Sequence, residues 1–340
     1  MSAGRSTLRK WGTLATLAFL VLVASARSYA ASSDAFATAA RMGRGVNILG
    51  YDGIWEGGID APFRLGHLDM IKRAGFSHVR INLFGFKFMD AADRLRDDYL
   101  QRLDLVIFSV ISAGLIPVID EHDTDTCQIQ LDVCGRKLAA FWQQVSARYA
   151  GQFPSLIFEL LNEPGGNMTI AQWNRLLRDM LAIVRASSPD RTVIVAALNT
   201  PDAPIGALDL PDDDRRIIVT FHYYDPFEFT HQGAPWSEKL KALPPRAWGS
   251  EADKAKVAEY FDRVQQWSSQ QRRPIYLGEF GVYEAAPQDS RLRWLSFVAR
   301  TAESHSWPWA YWQFDHDFAL FDTQRQRWHA DMLRALIPAR

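Results

Sequence analysis

Eight short apolar runs, each followed by a polar or helical segment, occupy the sequence from residue 44 onward. Apolar runs of this length are typical of strands that are buried on both faces of a parallel sheet. A chain that alternates such strands with helices folds as an α/β protein, because the helices cover the faces of the sheet. The eight strands are predicted at residues 45–49, 78–82, 115–120, 155–161, 192–197, 217–222, 274–279 and 309–312.

The helices are predicted between these strands, whereas the link at 199–215 is short and irregular. They are expected at residues 62–74, 97–113, 137–149, 169–187, 253–270, 289–304 and 327–336. Eight β/α units in about 300 residues predict a (β/α)8 TIM barrel. Residues 31–340 contain no Pro/Gly/Ser-rich linker, so we expect a single domain. An open doubly wound sheet is the alternative, but Gly43 and Gly45 are followed by Ile48, where its glycine-rich turn would need a third glycine.

Residues 1–30 have the pattern of a signal peptide. Basic residues at positions 5, 9 and 10 precede the apolar stretch 14–24, and Ser28-Tyr29-Ala30 offers the small residues that signal peptidase reads. We predict cleavage after Ala30, with a second candidate site at residues 24–26, and an uncleaved membrane anchor is the alternative. The mature protein would be secreted or periplasmic, without stable membrane association.

Cleavage would also remove four basic residues and no acidic one, so the net charge would change from −1 to −5. A negatively charged protein of this kind is not expected to bind nucleic acid.

The chain has two cysteines, Cys127 and Cys134, seven positions apart in a polar segment. In an exported protein this spacing allows a short-range disulfide. Two free thiols are the alternative, because the sequence does not give the distance between the two Cα atoms.

Two of the predicted strands end in a glutamate. The run from Leu156 to Leu161 leads into Asn162, Glu163 and Pro164, and the run from Pro274 leads into Glu279 and a glycine turn. In a barrel of parallel strands the chemistry gathers at the carboxyl ends, so the two carboxyls are expected to meet there. The sequence contains neither His-Glu-x-x-His nor Gly-x-Ser-x-Gly, and residues 123–134 lack the glycine of an EF-hand. We therefore expect paired carboxylate catalysis, without a metal or another cofactor.

Four motifs occur in the order and on the strands where one enzyme family has them. They are Asn162-Glu163-Pro164 on the fourth strand, His222-Tyr223-Tyr224 on the sixth, Gly278-Glu279-Phe280-Gly281 on the seventh and Trp312 on the eighth. From about residue 45 to residue 336 the chain resembles glycoside hydrolase family 5, the cellulase-type retaining barrels. The resemblance implies that Glu163 is the acid/base and Glu279 the nucleophile.

Substrate-binding roles are expected for a further set of residues. The resemblance gives Arg80 a hydrogen bond to the nucleophile, Asn162 a contact with the sugar 2-hydroxyl, and Asn47 and Trp236 further sugar contacts. From their strand-end positions, His122 and His222 would hold sugar hydroxyls and Tyr224 would bind the nucleophile. Trp312 would form the floor beneath the reacting sugar, and Trp55 is a weaker candidate for a sugar contact. Burial and a negative neighbour are expected to raise the pKa of Glu163.

These observations predict an exported, monomeric endo-β-1,4-glucanase that acts on a β-1,4-linked polysaccharide with retention. An endo-β-1,4-mannanase, or an enzyme that hydrolyses both glucan and mannan, is the alternative. A non-catalytic carbohydrate-binding barrel would be expected to lack one of the two glutamates, and both are present. His122 is followed by Asp123 where close relatives often have a second histidine, so substrate detail on that side is open.

Overall fold

The strands form one closed parallel barrel in chain order, which confirms the predicted (β/α)8 fold. The computed structural model describes residues 34–50, 52–57, 61–198 and 205–338, so the predicted signal peptide lies outside the described residues, as do positions 199–204. The barrel strands are β1 Arg44–Ile48, β2 His78–Leu83, β3 Ile116–Glu121, β4 Ile157–Glu159, β5 Val193–Ala196, β6 Ile217–Tyr223, β7 Ile275–Phe280 and β8 Trp309–Tyr311. β1 pairs with both β2 and β8, which closes the barrel.

Helices accompany the strands, and the longer ones cover the outward-facing apolar residues of the barrel. They are α1 Ala35–Met42, α2 His67–Arg73, α3 Asp97–Ser112, α4 Thr124–Ile129, α5 Leu131–Arg148, α6 Ile170–Ser187, α7 Phe227–Thr230, α8 Glu238–Lys241, α9 Glu251–Gln271, α10 Gln288–Ser304 and α11 Ala330–Leu336. Among the described residues, none of these helices combines the length and the apolar character that crossing a bilayer requires.

Helix α1, which the sequence pattern did not predict, closes one end of the barrel. Its residues Ala35, Ala39 and Met42 are buried in a cluster with one residue from each of six strands, Val118, Ile157, Ile194, Ile218, Tyr276 and Ala310. The Asp34 side chain accepts a hydrogen bond from the backbone N–H of Phe36, which caps the helix. This plug leaves the carboxyl ends of the strands, at the opposite end, as the face open to a ligand.

Three helix boundaries differ from the prediction. The second helix begins at His67 and not at residue 62, because the Asp52 carboxylate binds the backbone N–H of Phe63 and holds that segment as a loop. Helix α5 begins six residues earlier than predicted, at Leu131. Residues 327 and 328 form a hairpin strand with Phe321–Asp322, because the Trp328 ring packs against aromatic neighbours, and the last helix starts only at Ala330.

The two cysteines form a disulfide with an S–S distance of 2.02 Å. The polar segment in which they lie is helical: Cys127 is on α4 and Cys134 on α5, and both are buried. The disulfide therefore joins two successive helices on the open side of the barrel.

We predict that the unfolded, unreduced protein contains no free thiol and that reduction releases two. Thiol titration in denaturant, with and without prior reduction, measures this count. Loss of the cross-link should lower the free energy of unfolding by about 2–3 kcal/mol, because it restores chain entropy to the unfolded state. Two reactive thiols without reduction would contradict the disulfide.

Candidate active site

Arg80 on β2 lies at the centre of the open end of the barrel and is fully buried. Its guanidinium forms ion pairs with three carboxylates: Glu159 at 2.8 Å, Asp120 at 2.9 Å and Glu279 at 2.7 Å. Burial disfavours the charge, but the three carboxylates outweigh that penalty and raise the pKa of Arg80 well above its ordinary value. Arg80 is therefore a permanent cation inside the barrel, as an arginine is expected to be.

The side-chain oxygens of Asn47 and Asn162 complete the contacts of this guanidinium. Asn47 Oδ1 accepts from Arg80 Nη1 at 2.9 Å and from Asn82 Nδ2 at 3.1 Å, while Asn47 Nδ2 donates to the carbonyls of Gly278 and Tyr311. Asn47 was predicted to contact sugar. Its side chain is instead fully buried, and both its polar atoms are engaged by the protein. The structure thus gives Asn47 a supporting place behind Arg80.

Glu279 is the member of this cluster that borders the open face. It lies near the end of β7, where Oε1 accepts from Arg80 Nη1 and Oε2 accepts from the Tyr224 hydroxyl at 2.9 Å. Burial and the Glu279 charge raise the pKa of Tyr224 well above its ordinary value, so the phenol keeps its proton and remains a donor. The turn after β7 requires Gly281, because a Cβ there would collide with the carbonyl oxygen of Trp312.

Glu163 lies four residues beyond the end of β4 and has a backbone φ of 38°. A non-glycine residue in the left-handed region costs about 1–3 kcal/mol, and the surrounding contacts must supply that energy. The preceding residue, Asn162, is held by Arg80 Nη2 at 2.8 Å and by the Glu121 backbone carbonyl at 2.8 Å. Local structure therefore fixes where the Glu163 side chain points.

The two glutamates face each other across His222. One carboxylate oxygen from Glu163, one from Glu279 and one ring nitrogen of His222 all lie within 4.8 Å of one another. His222 Nδ1 is 2.7 Å from Glu163 Oε1 and 3.6 Å from Glu279 Oε2. These three atoms are close enough to ligate a divalent cation, but the Arg80 guanidinium already supplies a positive charge to Glu279, which disfavours a metal ion here.

The pKa shifts of the Glu163–His222 pair follow from this contact. Burial would raise the pKa of Glu163, but the hydrogen bond and charge of His222 outweigh it and lower the pKa below 4.5. Burial would lower the pKa of His222, yet the charges of Glu279 and Glu163 raise it above 6.5. The prediction of a raised pKa for Glu163 is therefore wrong for the free protein, because it did not take His222 into account. The pair shares one proton across the pH range between the two values.

His122 connects the other side of the site to the Arg80 cluster. Its Nδ1 is 2.5 Å from Asp120 Oδ2, its Nε2 is 3.2 Å from Asn162 Nδ2, and its ring stacks on that of Trp312. Burial lowers the pKa of His122 to about 4, with Arg80 acting in the same direction, so the ring is neutral at neutral pH. We assign the proton to Nδ1, which then donates to Asp120.

Trp236 is the most exposed aromatic near the site, with 49% of its surface accessible. Its ring meets Tyr283 edge-on at 5.1 Å, and Phe318 and His231 lie within about 6.3 Å. Trp312, by contrast, is only 8% exposed and directly follows β8. Trp55, the weaker candidate, is buried and donates to the Leu49 carbonyl, so it does not reach the open face.

The sequence interpretation placed Asp120 among the polar residues at the strand ends but gave no role to it or to Glu159, the two supporting carboxylates. Both are fully buried, and burial raises the pKa of Glu159 and brings that of Asp120 to about 6, although Arg80 opposes both shifts. The available signal was a charge inside an apolar strand: Glu159 interrupts the run around Phe158, and Asp120 follows Ile119. A buried carboxylate requires a cation, and Arg80 on the neighbouring β2 is that cation.

This arrangement presents two carboxyls with different partners on one open face. Glu279 is bound to a permanent cation and a phenol, whereas Glu163 is bound to an imidazole that can gain or lose a proton. Carboxyls about 5–5.5 Å apart are characteristic of glycosidases that retain configuration, while inverting enzymes separate them by about 6.5–9.5 Å. The fold and the site thus define a barrel equipped for glycosidic bond cleavage.

Comparison with known proteins supports this class. Residues 42–317 match the profile of cellulase (glycosyl hydrolase family 5). Endoglucanase H of Acetivibrio thermocellus is 28% identical over 318 residues, which is 89% of this chain and 33% of that protein. The chain therefore spans about a third of that relative. The structure of endoglucanase Cel5A from Thermotoga maritima aligns with a TM-score of 0.83 and 37% identity, covering 89% of this chain and 100% of the other.

The same Thermotoga maritima protein has been solved with mannotriose and with cellobiose, in structures that align here at TM-scores of 0.83 and 0.82 and at the same identity and coverage. The chain belongs to glycosyl hydrolase family 5, the cellulase family, and is a glycoside hydrolase.

The Glu163–His222 ion pair predicts a pH window for stability. Because the pKa of His222 is raised, its contribution to stability is complete below pH 6.5 and is lost as the pH rises through the pKa of His222 in the folded protein. Because the pKa of Glu163 is lowered, its contribution is present above pH 4.5 and is lost as the pH falls through the pKa of Glu163 in the folded protein. His222→Gln should therefore lower the free energy of unfolding by about 1.5–3 kcal/mol near pH 5.5 and by less at pH values above the folded pKa of His222.

Denaturant unfolding of both proteins from pH 4 to 9 measures this difference. A deficit that grows as the pH rises from 5 to 7 would show that His222 is uncharged in the folded protein. Thermal unfolding monitored by circular dichroism checks that the variant remains cooperative.

Proposed function

We propose that the protein is an endo-β-1,4-glucanase that retains configuration, with Glu279 as nucleophile and Glu163 as acid/base. The observation that carries the proposal is the placement of the two carboxyls within 4.8 Å of each other, with Arg80 on one and His222 on the other. Glu279 would attack the anomeric carbon while Glu163 protonates the leaving oxygen, and Glu163 would then activate the water that releases the sugar.

The shared proton of Glu163 and His222 suits the first step. In the free protein it lies mainly on His222, because the pKa of His222 is raised and that of Glu163 is lowered. When Glu279 becomes an ester its negative charge disappears, and a charge that favours the imidazolium is lost with it. His222 would then pass its proton to Glu163 Oε1, 2.7 Å away, and Glu163 would deliver it to the leaving oxygen. Glu163 is left as a carboxylate beside a neutral His222, so it can take a proton from water in the second step.

Sugar contacts are proposed for the residues that border the open face. Trp312, stacked on His122, would form the floor beneath the reacting sugar, and the exposed Trp236 would be a platform beyond it. Asn162 remains the proposed partner of the 2-hydroxyl, with the second lone pair of its Oδ1 as acceptor. Nε2 of His122 would exchange the Asn162 amide, 3.2 Å away, for a neighbouring sugar hydroxyl. Tyr224 and His222 would act through the two carboxyls that they contact.

The proposed substrate is a soluble or accessible β-1,4-glucan. The endoglucanases to which the chain is similar support this choice, and the mannotriose complex of the Thermotoga maritima protein supports mannan as a second substrate. An enzyme that binds both polymers would have to accept the equatorial 2-hydroxyl of glucose and the axial 2-hydroxyl of mannose. Comparing the release of reducing ends from barley glucan, carboxymethyl cellulose, mannan and xylan tests the assignment, with activity on xylan alone contradicting it.

We also propose that the protein is exported and works outside the cytoplasm, since residues 1–30 have the features of a signal peptide. It is proposed to act as a monomer. The mature chain should begin near Ala31, and intact-mass measurement of protein recovered from the periplasm or medium tests this. Full-length chain found only in the membrane fraction would favour an anchor.

Glu279→Gln and Glu163→Gln should each lower the turnover of polymer by about 10³-fold or more, while both remain folded. The amides remove a nucleophile and a proton donor without changing side-chain size. Azide should restore cleavage of an aryl cellobioside in Glu279→Gly and give the inverted glycosyl azide, whereas the product from Glu163→Ala should be the retained azide.

Product configuration from nuclear magnetic resonance spectra distinguishes these two outcomes. Near-normal activity of Glu279→Gln, or identical azide products from both variants, would contradict the assigned roles.

A further inference from the structure

Helix α4 lies beside the segment that carries Glu163 and contacts it at both ends. At the first end, the Thr124 hydroxyl donates to the backbone carbonyl of Asn162 at 3.2 Å and accepts from the Asn162 amide at 3.0 Å. At the other end, Gln128 Nε2 donates to the backbone carbonyl of Glu163 at 3.4 Å, and the Gln128 carbonyl accepts from the backbone N–H of Asn167 at 3.0 Å. Four hydrogen bonds thus connect one short helix to residues 162–167.

The chain approaches α4 so closely that one position requires glycine. A Cβ at Gly166 would lie 2.6 Å from the Gln128 Cβ and 3.0 Å from the Gln128 carbonyl oxygen, and Gly166 also has a positive φ of 62°. Glu163 itself adopts a positive φ, which L side chains rarely do. The segment therefore needs external contacts to keep its shape, and α4 provides them.

The disulfide fixes α4 against a larger element. The helix has six residues and no side-chain hydrogen bond at its N-cap, so it is not stable by itself. Cys127 lies next to Gln128, and its sulfur is joined to Cys134 on the 18-residue helix α5. Both cysteines are buried, so the cross-link holds the part of α4 that carries Gln128 against α5.

We propose that α4, tethered by the Cys127–Cys134 disulfide, is a positioning element for the Glu163 carboxyl, with Thr124 and Gln128 as its positioning residues. The proposal rests on the acid/base role proposed above for Glu163. Displacement of the 162–167 segment would move the Glu163 carboxyl away from His222 Nδ1, which is now 2.7 Å from it. Protonation of the leaving oxygen would then become slower, while attack by Glu279, which is held by its own hydrogen bonds to Arg80 and Tyr224, would be little affected.

Substrates with different leaving groups separate these two effects. A sugar leaving group needs a proton from the acid, whereas 2,4-dinitrophenolate departs without one. The value of kcat/KM reports the steps up to formation of the glycosyl-enzyme, so it isolates the step in which Glu163 is the acid.

The experiment compares kcat/KM for cellotetraose and for 2,4-dinitrophenyl β-cellobioside. Gln128→Ala should lower the value for cellotetraose at least fivefold and the value for the aryl glycoside less than twofold. Thr124→Val also releases the Asn162 amide, the proposed partner of the 2-hydroxyl, so it should lower both values, with the loss on cellotetraose at least fivefold larger. Thr124→Ser, which keeps the hydroxyl, and Gln130→Ala, at an exposed position two residues from Gln128, should change neither value more than twofold. Equal losses on both substrates, or no loss on either, would overturn the proposal.

Two further variants complete the test. The double variant Cys127→Ser, Cys134→Ser should, when folded, show the same dependence on leaving group as Gln128→Ala. A folded double variant with wild-type values for both substrates would overturn the role of the tether.

Glu163→Gln is the reference. If Glu163→Gln loses both activities equally, the acid role itself is wrong; if it shows the leaving-group dependence and the α4 variants do not, only the positioning role fails.

Discussion

The buried guanidinium of Arg80 is the interaction on which the open end of the barrel depends. Three carboxylates from three other strands, Glu159, Asp120 and Glu279, converge on this one cation. Each would be costly to bury alone, because a charge loses its hydration inside the protein. Their common partner holds β2, β3, β4 and β7 in register where the strands end. The same contact places the Glu279 carboxylate at the surface of the cluster, next to the space that a ligand can enter.

The two proposed catalytic carboxyls differ in the chemistry of their cations. Arg80 cannot lose its proton at any pH that the fold tolerates, so Glu279 keeps a cationic partner throughout a reaction. His222 is an imidazole that can gain or lose a proton, so the charge state of Glu163 can change during a reaction. If both carboxyls had the same kind of cationic partner, both would be suited to the same role, either nucleophile or acid. The difference between arginine and histidine therefore supports the proposed roles, and α4 with its disulfide is proposed to hold Glu163 where that difference can act.

The sequence predicted the barrel because strands buried on both faces are apolar runs, and it found Glu163 and Glu279 because each follows such a run. It did not predict the Arg80 cluster in full, since Glu159 and Asp120 lie within strands and their partner is distant along the chain. The lowered pKa of Glu163 was missed for the same reason: it depends on His222, 59 positions away. Helix α1 was also missed, because Ala35, Ala39 and Met42 become recognisable as a buried face only when the barrel end that they cover is present.

The most direct test of this account is to trap the covalent intermediate that an Arg80-bound nucleophile should form. The reagent is 2,4-dinitrophenyl 2-deoxy-2-fluoro-β-cellobioside, whose fluorine slows both formation and hydrolysis of the glycosyl-enzyme. Its good leaving group still allows formation to proceed, so the glycosyl-enzyme accumulates. Intact-mass analysis should show one added fluorocellobiosyl group, and peptide mapping should place it on Glu279. A label on Glu163 would contradict the account. So would the absence of any label together with turnover of cellotetraose that inverts the configuration of the cleaved bond.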